Sequence, residues 1–379
     1  MLLLAFFPRF ELFWQSSLAG VSLVLIGLCV GSFLNVVIHR VPRGLSVNEP
    51  KRSFCPHCKK AIPAWQNLPV ITWLLQRGKC RQCGAPIASR YLLVEVATGV
   101  LFYLSWRLFD PFSGLLAIVL CVILVVVCVI DAEHAVIPIT WTGVGTGIAI
   151  VGAFFEPKLL VLGAGSKGGF DGALLGWAAG FALLWLVIRL GKWAFGKQKV
   201  VFEKPVNWHL AEGFEDNPQL HLVIEGAEGA EAHSWDELFN RPTDRLVITG
   251  RKFKVNGALK KGAEIVISRN HAEMEGKTYD LEKLKTLEGR AERMTVPREA
   301  MGSGDPHLLG MIGAFLGWPA VVFVIFVSSI FGMIVGLAGR IGFGKPIPYG
   351  PFLGLAALTW LFFGGWKWWQ SYWELIGLS

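Results

Sequence analysis

Charged residues are scarce in this 379-residue sequence. Only 17% of the residues are Asp, Glu, Lys or Arg, whereas 53% are hydrophobic. A soluble domain normally carries about 25% charged residues and about 45–50% apolar ones. The scarcity of charge therefore excludes an ordinary soluble protein and predicts one that lies in a membrane, in contact with lipid.

Several familiar signals are also missing. The amino terminus lacks a basic start, and the first long apolar run is not followed by a small-residue cleavage site, so we expect no removable signal peptide. We find no internal repeat. No nucleic-acid-binding motif accompanies the formal net charge of +8. We therefore expect no nucleic-acid partner and attribute the positive charge to membrane topology and contact with anionic lipids.

Long apolar stretches are what the sequence has in abundance. They approach the roughly 20 residues that cross a bilayer, and the stretch 308–339 is long enough for two helices, broken near Gly317, Trp318 and Pro319. The pattern predicts an α-helical polytopic membrane protein with about eight transmembrane helices. The stretches are residues 19–39, 91–109, 112–130, 136–155, 170–189, 308–339 and 351–366.

Charge asymmetry predicts the orientation. Residues 40–90 contain ten Lys or Arg and a single acid, Glu49, and such loops stay in the cytoplasm. Counting helices from there places Asp131 and Asp305 at the same cytoplasmic face. The expected domains are 1–39 with the first helix, a cytoplasmic cysteine loop at 40–90, helices 2–5 at 91–191, a cytoplasmic insertion at 192–300, and helices 6–8 at 301–379.

The insertion at 192–300 is polar and contains short alternating segments. These lie at 220–225, 246–249, 253–256 and 264–268, and they are separated by turn signals such as Asn256-Gly257. Alternation with such turns predicts a small β-rich domain. Residues 282–293 are predicted to form one short helix within it.

Four of the seven cysteines form two CxxC motifs in the loop 40–90. Cys55 and Cys58 are followed, after 21 residues, by Cys80 and Cys83. Four thiolates with this spacing suit one tetrahedral ion with no open position, which is a structural zinc site. Disulfides, redox-active thiols and unliganded thiols are the alternatives, although a reducing cytosol disfavours disulfides.

Two aspartates lie at the edge of apolar stretches. Asp131 ends one stretch, and Asp305 ends the motif Gly302-Ser303-Gly304-Asp305 before another. A charge there must be capped, paired or neutralised. Facing carboxyl groups could share one proton, so that the ionised group takes a proton from water while the neutral one protonates a departing amine.

Each aspartate could instead have a structural role as a helix cap. Asp305 before Pro306 has the pattern of a helix N-cap, and Asp131 could cap a helix beginning near Val136. The glycines at 302 and 304 favour the catalytic alternative, because small residues let an extended substrate backbone approach a carboxylate closely.

Taken together, these elements resemble the prepilin peptidases, a family of aspartic peptidases with a GxGD motif. The resemblance implies that Asp131 and Asp305 form the catalytic pair and that Cys55, Cys58, Cys80 and Cys83 bind zinc. The segments that carry it are residues 31–42, 67–73, 77–80, 90–99, 131–138, 302–305 with 308–317, and 347–352.

The resemblance also implies substrates, partners and a location. The substrates are type IV prepilin-like or pseudopilin proteins, whose leader is removed just before a hydrophobic helix. The enzyme lies in a bacterial inner membrane with its active site facing the cytoplasm, where pilus or type II secretion assembly machinery is a further partner. Many relatives also methylate the new amino terminus with S-adenosylmethionine, for which this sequence has no nucleotide-binding signal of its own.

Three residues or segments stand apart from the family pattern or the proposed chemistry. His307 occupies a position where relatives commonly have lysine, and we interpret it as an interfacial polar residue. The insertion at 192–300 is much longer than expected and could recognise substrate or a secretion partner, or only cover the site. Glu95, early in a predicted helix, is assigned to helix packing or the lipid interface.

Two other classes of function stay open. A transporter or proton relay would also carry acids in the membrane, but it predicts acids near mid-membrane and repeated halves. A zinc-stabilised scaffold of a secretion complex would use both aspartates only as caps. The position of both acids at helix ends favours the peptidase.

Overall fold

The computed structural model divides the chain into two compact units. One comprises Met1–Leu186 with Met301–Ser379, and the other comprises Val187–Ala300. The residues that the structure describes are 8–49, 54–55, 57–63, 68–155, 169–195, 197–211, 220–226, 229–239, 245–260, 262–297, 302–339 and 348–375.

The first unit is helical. Its described helices are α1 (Pro8–Trp14), α2 (Ser17–Arg40), α3 (Ile71–Leu75), α4 (Ser89–Leu108), α5 (Pro111–His134), α6 (Ile139–Phe155), α7 (Phe170–Phe195, whose last residues belong to the other unit), α9 (Asp305–Leu316), α10 (Trp318–Ala338), α11 (Gly350–Phe362) and α12 (Gly365–Leu375).

Within the described residues, five helices are long and apolar enough to cross a membrane. These are α2, α4, α5, α7 and α10, and they make this a membrane protein by length and composition. The predicted break near Gly317 is present, because α9 ends at Leu316 and α10 begins at Trp318. The prediction of eight spans is not confirmed. Helices α6, α9 and α11 have 17, 12 and 13 residues, so each is shorter than the roughly 30 Å hydrocarbon core at 1.5 Å per residue.

Helix α5 is the central element of this unit. It is buried along much of its length and packs against α2, α4, α6 and α11. Its apolar residues, such as Leu120 and Leu124, join Phe315 of α9 in one core. The helix ends where Ala135 takes a left-handed conformation, with φ of 52°, and donates its N–H to the Asp131 carbonyl. Asp131 thus lies in the last turn of a buried helix.

Glycines allow two helix pairs to approach closely. A Cβ on Gly31 of α2 would lie 2.7 Å from the Glu95 Cα of α4, and one on Gly176 of α7 would lie 2.0 Å from the Gly313 carbonyl oxygen of α9. Small residues at helix contacts are typical of membrane bundles, where close backbone packing replaces the hydrophobic effect as the source of association.

The second unit is built on an antiparallel sheet whose described strands run in the order β3-β2-β1-β9-β4-β6-β7-β8, with β5 paired to β4. Its core contains Trp208, Phe253 and Phe239. The β-rich prediction is confirmed. The strands are β1 (Lys197–Ala211), β2 (His221–Gly226), β3 (Gly229–Ser234), β4 (Leu246–Val255), β5 (Ala258–Lys260), β6 (Glu264–Ile267), β7 (His271–Met274), β8 (Lys277–Asp280) and β9 (Leu287–Pro297), with a short helix α8 (Trp235–Leu238).

The predicted helix over 282–293 is wrong. Most of it belongs to β9, which pairs with β1 on one side and β4 on the other. Leu287, Ala291 and Met294 are buried, and their spacing of four and three residues imitates a helix. The imitation arises because a register shift at Thr249 and Gly250 of β4 leaves an extra residue in β9, which breaks the strand alternation.

Candidate active site

Asp131 contacts the start of another helix. Its carboxylate is buried, and its Oδ2 accepts a hydrogen bond of 2.8 Å from the N–H of Gly350, the first residue of α11. A Cβ on Gly350 would lie only 2.6 Å from that oxygen, so glycine permits the approach. The partial positive charge at a helix amino terminus stabilises a negative carboxylate. Asp131 therefore does not cap a helix near Val136, which was the structural alternative.

Asp305 is the first residue of α9 and has a different environment. The N-cap position is Gly304, and no side chain caps this helix. Asp305 is buried, and its Oδ1 has no hydrogen-bond partner among the described residues. The N-cap interpretation of Asp305 is therefore wrong. Helix α9 is too short to span a membrane. Burial of Asp305 at the start of this helix, together with the charge of Asp131, raises the pKa of Asp305 to about 7.

The two glycines of the GxGD motif have separate roles. Gly304 is buried, and a Cβ there would lie 2.5 Å from the Ile137 Cβ, in the segment that follows Asp131. Gly302 is exposed, and a Cβ there would lie 3.1 Å from the Asp305 Oδ2. Of the two glycines, only Gly302 lies where a substrate backbone could approach the carboxylate, as the sequence predicted. Gly304 instead lets the segment that precedes Asp305 pack closely against the segment that follows Asp131.

Two buried carboxyl groups from distant parts of the sequence lie near enough for the charge of Asp131 to act on Asp305. Asp131 is held by a backbone N–H that favours its charge, whereas Asp305 is held where it can stay protonated near neutral pH. Two carboxyl groups in unlike environments can act as base and acid in one reaction.

His307 and Glu95, two polar residues noted in the sequence, make their described contacts with residues other than Asp131 and Asp305. The His307 ring packs edge-on against Phe181 of α7, with 5.1 Å between centroids, which fits a packing role. Glu95 is buried rather than at the lipid surface, and its Oε2 accepts the N–H of Val70 at 2.7 Å. Glu95 therefore ties the cysteine loop to helix α4.

The four cysteines form one cluster. The Sγ atoms of Cys55, Cys58, Cys80 and Cys83 all lie within 4.8 Å of one another. The Cys55 and Cys83 sulfurs are 3.8 Å apart, which is far longer than the roughly 2.05 Å of a disulfide. A tetrahedral zinc site with Zn–S distances of about 2.3 Å requires sulfurs about 3.8 Å apart. The cluster therefore fits zinc.

Tight backbone turns hold both CxxC motifs, and their hydrogen bonds act on the thiol of Cys80. In each CxxC motif the first cysteine exchanges backbone hydrogen bonds within a tight turn, through Lys59 and Lys60 for Cys55 and through Gly84 and Ala85 for Cys80. Backbone N–H groups of Gln82 and Cys83 lower the pKa of Cys80 to about 7. A lowered pKa favours the thiolate, which is the form that binds metal.

Comparison with known proteins finds family models that match two parts of the helical unit and its flanking residues. The family model described as Bacterial Peptidase A24 N-terminal domain matches residues 25–109, and that of the Type IV leader peptidase family matches residues 293–337. A relative from Burkholderia pseudomallei (strain 1026b), named prepilin leader peptidase/N-methyltransferase, is 26% identical over 90% of this chain and 84% of its own length. The chain is therefore similar over most of its length to a prepilin leader peptidase.

Other relatives with the same name agree. The protein from Dichelobacter nodosus is 27% identical over 89% of this chain and 90% of its own length. The protein from Myxococcus xanthus (strain DK1622) is 42% identical, over 43% of this chain and 46% of its own length. No solved structure matches the chain. The prepilin peptidase resemblance predicted from the motifs is thus confirmed.

Proposed function

We propose that this protein is an aspartic endopeptidase that removes the leader peptide of type IV prepilin-like or pseudopilin substrates at the cytoplasmic membrane face. The observation that carries the proposal is the pair of buried carboxyl groups, Asp131 at the end of α5 and Asp305 at the start of α9. A transporter would require acids within a transmembrane path, and a scaffold would use both acids as caps; the contacts of Asp305 support neither.

The unlike environments assign a role to each acid. Ionised Asp131 takes a proton from a water molecule as the water oxygen bonds to the scissile carbonyl carbon. Protonated Asp305 gives its proton to the amide nitrogen as the C–N bond breaks, which releases the leader acid and the mature amine. Proton exchange with solvent then restores the starting pair.

The cysteine cluster supports the loop rather than the reaction. Cys55, Cys58, Cys80 and Cys83 would supply four thiolates to zinc, which leaves no coordination position for water or substrate. Zinc at this site would therefore hold the two CxxC motifs together and take no part in hydrolysis. The proposed setting is a bacterial inner membrane, with membrane lipids and a pilus or type II secretion assembly as neighbours.

Methyl transfer is a second activity of the proposed function. The relatives are named both leader peptidase and N-methyltransferase. Leader removal creates a free amine, and S-adenosylmethionine would supply a methyl group to it. The methylated amino terminus would then be the final product.

The test is coexpression with candidate prepilins and pseudopilins, followed by mass spectrometry of their amino termini. We expect loss of the leader before the hydrophobic helix and a mass increase of one methyl group on the new terminus. Cells without the enzyme provide the control. Intact leaders on every candidate substrate, in cells that accumulate the inserted enzyme, would count against the peptidase.

The pH dependence of the cleavage rate should follow the protonation state of Asp305, the proposed general acid. Because the pKa of Asp305 is raised to about 7, the proton it donates is present below that pH and lost above it. We expect the rate constant for leader cleavage by purified enzyme to fall as pH rises through about 7. Thermal unfolding measured at each pH shows whether a lower rate comes from deprotonation of Asp305 or from unfolding of the enzyme. A rate that stays level from about pH 6 to about pH 9 would rule out Asp305 as the acid.

A further inference from the structure

Helix α11 presents two glycines to helix α5. Gly350 and Gly354 are four residues apart and therefore lie on one face of α11. Cys128 and Asp131 are three residues apart and lie on one face of α5. A Cβ on Gly350 would lie 2.6 Å from the Asp131 Oδ2, and a Cβ on Gly354 would lie 2.2 Å from the Cys128 Sγ. Each glycine therefore makes room for one side chain of α5.

The contact between Cys128 and Gly354 limits how closely the two helices approach. The Cys128 thiol also donates to the Gly350 carbonyl oxygen, with 3.5 Å between sulfur and oxygen. A thiol is a weak donor, so the contact acts mainly through its shape. The cysteine side chain has no flexible end that could move aside. A methyl group at position 354 would therefore push the start of α11 away from α5.

The start of α11 is also tied to helix α10. Tyr349 is the N-cap residue of α11, and its Oη lies 2.7 Å from the Ser328 Oγ. Ser328 already donates its single hydroxyl proton to the Ile325 carbonyl, so Tyr349 is the donor in this pair. Ser328 is fully buried, where the low dielectric strengthens the bond. The start of α11 is thus held from two sides.

The contacts on both sides converge on the catalytic base. No side chain caps α11, and the Gly350 N–H instead donates to Asp131 at 2.8 Å. Where that N–H lies depends on where α11 begins. An N–H held at this distance favours the ionised carboxylate and fixes its orientation toward the water molecule that it activates.

We propose that Gly354 and Tyr349 are positioning residues for Asp131, the base of the proposed peptidase. Both act through the Gly350 N–H, Gly354 by letting α11 approach Cys128 of α5 and Tyr349 by holding the start of α11 against α10. The proposal deepens the proposed function and rests on it.

Gly354→Ala should lower kcat for leader cleavage by about tenfold or more, because Asp131 loses a hydrogen bond to its charged form. KM should change by less than about twofold, since substrate contacts are unaltered. The acidic limb of the pH–rate profile should move to higher pH, because a carboxylate without its N–H donor takes up a proton more readily. Steady-state cleavage of a prepilin by purified full-length enzyme measures all three. A merely structural defect would leave the acidic limb in place.

Cys128→Ala removes the sulfur that the new methyl group would meet. Alone, it should lower kcat by less than about threefold, because only a weak hydrogen bond is lost. Combined with Gly354→Ala, it should restore kcat to within about threefold of the unchanged enzyme and return the acidic limb to its original pH, as expected of residues in direct contact.

Gly99→Ala is the matched control. A Cβ there would lie 2.8 Å from the Leu28 Cδ2, in a contact of α2 with α4 that includes neither acid. It should lower the temperature of thermal unfolding and leave kcat and the pH profile unchanged.

Tyr349→Phe is a milder variant that removes one hydroxyl group and decides the question if Gly354→Ala does not accumulate. It should lower kcat by about threefold or more and move the acidic limb in the same direction. Normal kcat and an unmoved acidic limb in either variant would overturn the positioning role of that residue. A loss in Gly354→Ala that Cys128→Ala does not relieve would overturn the role of the helix contact. Absence of leader cleavage by the unchanged, zinc-loaded protein would instead overturn the peptidase itself.

Discussion

Asp131→Asn and Asp305→Asn are each expected to lower the rate of leader removal by at least about a thousandfold, while the protein still inserts and accumulates. An amide keeps the size of the carboxyl group but cannot exchange the proton that hydrolysis requires. The measurement is the initial cleavage rate of a prepilin by purified variants. The amide introduced by Asp131→Asn retains an oxygen for the Gly350 N–H, so the start of α11 should be preserved.

Stability provides an independent readout for Asp305. Its pKa is raised above the ordinary value near 3.9, so its proton favours the folded state most at low pH. That contribution is lost as pH rises through about 7. Asp305→Asn removes the charge that would be buried above that pH and should unfold at an equal or higher temperature than the unchanged protein.

Asp110→Asn is the matched control at the opposite end of α5. Asp110 is a true N-cap, and its carboxylate accepts the N–H groups of Phe112 and Ser113. Because Asn caps helices about as well as Asp, this variant should cleave at the normal rate. Normal cleavage by Asp131→Asn or Asp305→Asn would reduce that aspartate to a structural role.

Zinc content should fall from one ion per chain to none in each of the variants Cys55→Ser, Cys58→Ser, Cys80→Ser and Cys83→Ser. A structural zinc site contributes apparent binding energies of about 10–16 kcal/mol at pH 7, and that energy also stabilises the fold around it. Elemental analysis of protein prepared without chelators gives the metal content, and limited proteolysis of residues 55–83 reports the loosened loop.

Cys29→Ser is the control, since Cys29 is an exposed free cysteine of α2 outside the cluster. It should retain zinc and resist proteolysis normally. Cleavage of a short leader peptide should decrease less in the cluster variants than in the aspartate variants, because no thiolate acts on the substrate. Protein without zinc before any substitution would refute the metal site.

Several features were predictable because their signals are local. The two CxxC motifs bring thiols together through tight turns of a few residues, and the structure gathers all four sulfurs as expected. Apolar runs of about 20 residues form helices wherever they occur, since lipid leaves no other partner for the backbone. The helix predicted over 282–293 failed because pairing with β1 and β4, which are distant in sequence, determined the conformation of β9.

The sequence by itself determined the membrane class, the cysteine cluster and the two candidate acids, since each depends on residue type and short spacing. Only the tertiary structure decided how the acids differ, because Asp131 accepts the N–H of Gly350 from 219 residues away. Asp305 is buried without such a partner among the described residues for its Oδ1. The tertiary structure likewise placed Cys128 against Gly354. Contacts between separate helices depend on how the side-chain ridges of both surfaces fit together, which the short spacing of residues in one segment does not determine.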